Sequence, residues 1–161
     1  MDHVERAVLI AQYATGYDAV AEALNGATAA ELDAREAPGE WSPREVIHHL
    51  ADSEMQSAFR IRQLVAEEHP TIQGYDQERF AATLHYHRPI EGSLLAFRGA
   101  RDATVPLLQA MTDEDWAGAG THTETGLFTA GDWLRYYAVH AHDHADQIRR
   151  ASYPAHSASS I

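Results

Sequence analysis

Cysteine is absent from this 161-residue chain, and so is lysine. The first absence excludes disulfides, iron–sulfur clusters, a thiolate nucleophile and any cysteine-ligated zinc. The second excludes Schiff-base chemistry and the lysine of a Walker-type phosphate loop. All twelve cationic side chains are arginines, set against 24 acidic ones, for a formal charge of −12. That balance argues against nucleic acid as a partner, which needs clustered positive charge, and against docking on an anionic membrane surface. A small anion pocket built from a few arginines stays open. No apolar run approaches the ~20 residues of a membrane span. The start, MDHVERAVLIAQYA, carries acids where a secretory leader wants bases, so cytoplasmic residence is the default expectation. What remains with useful chemistry is histidine, in eleven copies.

The length suits one domain with a substantial core. We expect that domain over residues 1–151, with a flexible tail over 152–161 (SYPAHSASSI). Residues 3–25 place apolar side chains at 4, 8, 13, 17, 20 and 24, close to helical spacing, and end on Asn25-Gly26. In GEWSPREVIHHL, Ser42 suits an N-cap, Pro43 the first helical position and Glu45 a capping box, with Trp41 and Val46 as a hydrophobic staple. A helix from Pro43 to about Glu67 follows. Residues 68–89 read as a long connection holding one short helix. Residues 90–111 resume helical spacing, with a kink expected near 102–106 from Pro106. GAGTHTETGLFTAG reads as loop. Thr129 with Asp132, and Phe128 with Trp133, open a last helix from Ala130 to about Ala151. No segment shows period-2 alternation. Four long helices with one long crossover connection predict an all-α four-helix bundle, a fold that commonly holds metals between facing helices.

The segment VHAHDHADQI carries histidines at 140, 142 and 144. At about 100° per residue, His140 and His144 share a face and His142 points to nearly the opposite side. Gln147, Trp133 and Tyr137 return to the face of the pair. Two histidines at i and i+4 can reach one cation. In a chain this rich in histidine, surface placement explains the pair as well. A third ligand would come from His48 or His49 on the second long helix, or from His3, His69, His85, His87 or His122. On that helix Val46, Leu50, Ile61 and Leu64 form the apolar stripe, with Ser57 on the same line. His49, Ser53, Gln56 and Arg60 form a polar strip beside it, which fits either a cleft inside the bundle or a solvated face.

The motifs W-S-x-x-E-V-I-x-H-L-A-D-S-E (41–54) and H-x-x-x-H-x-x-Q-I (140–148) resemble the DinB/YfiT-like superfamily. YDQERF, SLLAFRGARDATVPLLQAM and GLFTAGDWLRYYAVHAHDHADQIR extend the resemblance over roughly residues 10–151, in order. It implies a four-helix bundle with a divalent metal held by three histidines, one from the second long helix and two from the last. Carried over, these are His49, which directly precedes Leu-Ala-Asp, and His140 and His144; His48 becomes the extra. Members are often homodimers, and some act as thiol-dependent S-transferases, isomerases or hydrolases. Pro106 departs from the family's uninterrupted helix.

On that footing the expected cofactor is zinc or nickel, with iron also acceptable to imidazole ligands. Three imidazoles leave one coordination position open for water or for a low-molecular-weight thiol, which a chain without cysteine must borrow. The substrate is expected to be a small molecule. Candidate catalytic residues are Asp52, one turn from His49 and able to orient an imidazole, Gln147, able to meet a ligand, and Arg60, able to meet an anionic substrate. Each also fits an ordinary helix surface. The alternative function is a bundle whose metal is structural or sensory, without catalysis.

Overall fold

In the computed structural model, which describes residues 1–157, four long helices carry the chain: α1 (His3–Ala23), α3 (Pro43–Ala66), α5 (Glu91–Ala110) and α7 (Ala130–Ser157). Short helices α2 (Ala29–Leu32), α4 (Gln77–Thr83) and α6 (Asp113–Trp116) sit in the connections. None of the described helices is long and apolar enough to cross a membrane.

Local chemistry sets the helix starts. Ser42 accepts from Glu45 N–H and Glu45 Oε2 accepts from Ser42 N–H at 2.8 Å, closing the expected capping box in front of α3. Asp132 accepts from the Thr129 backbone at 3.0 Å while Thr129 Oγ1 accepts from Asp132 N–H at 3.1 Å, which launches α7. The last helix runs to Ser157 rather than ending near Ala151, and residues 158–161 of the expected tail lie outside the described residues. α5 is helical without a break through Pro106.

α1 packs mainly on α7 and α3 mainly on α5, while α3 against α7 and α1 against α5 close the bundle. The ligand-bearing candidates α3 and α7 are therefore neighbours. One expectation about α1 changes. Val4 and Val8 are 71% and 63% exposed, and the buried line passes instead through Tyr13, Gly16 and Val20. The run Ala-Val-Leu-Ile-Ala at 7–11 puts apolar groups all round the helix, so spacing alone selects no face.

The stretch read as loop is a hairpin. β2 (Ala119–His122) pairs antiparallel with β3 (Gly126–Thr129), and β1 (Thr71–Ile72) adds to β2 in parallel. Strands this short give no alternation to read. The hairpin lies close on α3: a Cβ at Gly118 would stand 2.1 Å from the Leu64 carbonyl oxygen.

Two clusters make the core. Tyr13, Ile61, Leu64, Leu108, Trp133 and Leu134 fill one, and Val20, Val46, Leu50, Phe97 and Ile148 the other. A polar network stands in the same interior. Glu54 and Arg101, both about 1% exposed as residues or less, pair at 2.9 Å. The Tyr13 hydroxyl donates to Glu54, and Arg101 also donates to the carbonyls of Tyr13 at 2.5 Å and Tyr137 at 3.2 Å. Gly16 makes the room, since a Cβ there would fall 2.2 Å from the Arg101 guanidinium.

Candidate metal centre

His49 on α3 and His140 and His144 on α7 bring one ring nitrogen each within 4.8 Å of one another. His49 Nε2 and His140 Nε2 stand 3.3 Å apart. The separation suits two donors on one tetrahedral ion, for which metal–nitrogen bonds of about 2.05 Å give roughly 3.3 Å. Ring centroids lie 4.7 to 5.4 Å apart around the triangle.

The three rings are held as bases. Burial, with the nearby His144, lowers the pKa of His49 to about 3. Burial takes His140 well below the ordinary imidazole value, and lowers His144 against the opposing hydrogen bond to Gln147. Neutral imidazole is the form that ligates a metal. His144 Nδ1 donates to Gln147 Oε1 at 2.8 Å, which leaves its Nε2 lone pair free. Among the described residues, His49 Nδ1 and His140 Nδ1 are buried without a hydrogen-bond partner. A donor set of three converging neutral imidazoles, with the Nε2 atoms of His49 and His140 3.3 Å apart, fits a divalent cation.

Aromatic rings hold the ligands in place. The Trp41 ring lies 4.8 Å from His49, and Tyr136 stacks on His140 at 5.3 Å. Two cavities flank the cluster and share Gln77 and Tyr136 in their walls. One, about 450 Å³, opens on His140, His144 and Gln147 beside Trp41. The other, about 240 Å³, opens on His49, Ser53 and Arg60. The polar strip of α3 is thus a cleft wall: His49, Ser53 and Arg60 are buried.

The remaining sequence candidates lie elsewhere. His48, one residue from His49, is turned to α5, where Nδ1 meets Ser93 Oγ at 2.7 Å and Nε2 the Arg88 carbonyl at 3.0 Å. His142 faces α1, 3.0 Å from the Gln12 carbonyl. His3, His69, His85 and His87 are exposed, and His122 lines the smaller cavity from β2. Asp52 accepts from Tyr86 at 2.7 Å, and no hydrogen bond joins it to His49 among the described residues. Arg60 donates to Tyr137 Oη at 3.1 Å and the Gln73 carbonyl at 2.5 Å. Sequence reasoning missed Tyr136 and Trp41 as walls of the cleft. Tyr136 sits four residues before His140, the spacing that stacks side chains on one helix face.

Known proteins are similar to this chain. A profile of the DinB superfamily matches residues 12–148. A protein of Oceanobacillus iheyensis is 34% identical over 118 residues, 73% of this chain and 69% of its own length. One from Bacillus cereus strain 03BB102 is 31% identical over 118 residues, 73% of this chain and 68% of its own. Both carry the provisional name of metal-dependent hydrolase. The structure of YfiT from Bacillus subtilis, described as "a probable metal-dependent hydrolase with an unusual four-helix bundle topology", matches with a TM-score of 0.89 at 26% identity, over 97% of this chain and 90% of that one.

Proposed function

This chain belongs to the DinB superfamily, and from that premise we propose that it is a metal-dependent hydrolase of a small-molecule amide or ester. The observation that carries the reading is the convergence of three neutral, buried imidazoles beside two cavities. His49, His140 and His144 would hold the ion, which supplies Lewis acidity towards water and towards a carbonyl when bound. In the hydrolysis, a water oxygen bonds to the carbonyl carbon, the C–N or C–O bond breaks, and the leaving group takes up a proton. Gln147 holds His144 in the tautomer that keeps Nε2 free. Trp41 and Tyr136 press on the flanks of His49 and His140. Arg60, through Tyr137, steadies the far wall.

The test is elemental analysis of untagged protein, followed by assay against ester and amide panels without added thiol. Wild type is expected to carry zinc or nickel near one ion per chain and to turn over a member of the panel. His49→Ala and His144→Ala are expected to lose both. Metal-free wild type, or variants that bind added zinc as well as wild type does, would overturn the site. Turnover that appears only with a low-molecular-weight thiol would replace hydrolysis by thiol transfer.

A further inference from the structure

Among the described residues two arginines are buried, and their surroundings differ. Arg101, 1% exposed, has the Glu54 carboxylate at 2.9 Å. Arg60, 9% exposed, has no carboxylate within salt-bridge range among the described residues. Its hydrogen-bond partners are neutral, the Tyr137 hydroxyl and the Gln73 carbonyl, and its guanidinium lies 5.9 Å from the Tyr75 ring centroid. These contacts use two of the five N–H groups of a guanidinium and fix its plane. A buried cation without an anion is costly, and the usual remedies are pairing or exposure. Arg60 has neither, and it lines the 240 Å³ cavity that also opens on His49.

We propose that this cavity receives a carboxylate group of the substrate on Arg60. The inference rests on the hydrolase reading for its meaning: the substrate is an amide or ester whose acyl part carries a carboxylate, directed by Arg60 while the reacting carbonyl stands at the histidines. Binding of the carboxylate itself needs no metal. A planar monoanion matches the guanidinium fork, and Ser53 and Tyr75 add hydroxyls to the same wall. A phosphate dianion would call for more cationic charge than one arginine in a chain of net charge −12. The remaining titratable wall groups are His122 and the exposed Glu124, with the tyrosines 75, 136 and 137. Glu124 opposes an incoming anion, and its exposure weakens that opposition.

The experiment is an NMR titration of the full chain, stripped of metal with a chelator, using propionate, propionamide and inorganic phosphate as probes. Propionate is expected to shift the signals of Ser53, Tyr75 and the Arg60 Nε–H, and to bind at least about tenfold more weakly to Arg60→Gln, the loss typical of a charge-assisted pair. Propionamide is expected to be indifferent to that substitution. Glu124→Gln is expected to tighten propionate about two- to fivefold. The proposal is overturned if wild type prefers propionamide or phosphate to propionate, or if Arg60→Gln binds propionate as wild type does. Should Arg60→Gln fail to fold, the preference of wild type and the effect of Glu124→Gln decide the matter. Metal content of Arg60→Gln, measured separately, is expected to match wild type. Carboxylate preference in a protein that binds no metal would sink the hydrolase reading and leave this one standing.

Discussion

The bundle contains two buried polar clusters that are treated in opposite ways. In the centre, Glu54 and Arg101 are tied to each other, to the Tyr13 hydroxyl and to the carbonyls of Tyr13 and Tyr137. In the cleft, His49 and His140 keep Nδ1 atoms buried with no hydrogen-bond partner among the described residues. An unmet buried polar group costs about 1–3 kcal/mol. The fold closes the first cluster from within, while the second brings the Nε2 atoms of His49 and His140 to 3.3 Å beside two cavities.

The sharpest way to break this contrast is to cut each cluster in turn and measure denaturant unfolding. Glu54→Leu leaves Arg101 buried and unpaired, and is expected to cost about 3–5 kcal/mol. The double change with Arg101→Met is expected to restore most of that loss. His49→Ala, in protein stripped of metal, is expected to cost about 1 kcal/mol or less, because an orphaned nitrogen leaves with the ring. Equal costs at the two sites would erase the distinction. A binding measurement sharpens it: Gln147→Ala is expected to weaken metal binding about 10–100-fold in chelator competition with little change in unfolding. Unchanged affinity would make that amide a surface group.

The two clusters meet at Tyr137, whose carbonyl belongs to the central network and whose hydroxyl meets Arg60. Burial pushes its pKa up from 10.0 to about 12. Above pH 10 the unfolded chain therefore releases a proton that the folded chain keeps. This contribution to stability is intact below 10 and is lost as pH rises towards about 12. Tyr137→Phe is expected to flatten the alkaline fall in unfolding free energy, and an unchanged slope would assign that fall to other tyrosines.

Much of the cleft was legible from spacing. His140 and His144 share a helix face by geometry, and Ser42 with Glu45 fixes where α3 begins. The choice of His49 over His48 came from resemblance to a family, because two adjacent histidines differ only by a rotation until the partner helix is known. Packing supplies the reason: His48 faces Ser93 on α5 and His49 faces α7. The central network was harder to see, though Glu54 lies on the line of Leu50, Ser57 and Ile61. A carboxylate on an apolar stripe signals an interior partner, but its identity, Arg101, is 47 positions away. The short hairpin left no periodic trace.

The cleft joins residues far apart along the chain: His49 and His140 are separated by 91 positions. At ribosomal rates of about 5–20 residues per second, His49 waits roughly 5–20 s before its first partner is even synthesised. Whatever occupies the cleft must therefore be acquired late, after the last helix has emerged. Occupancy would then mark a finished molecule and could play no part in starting its assembly.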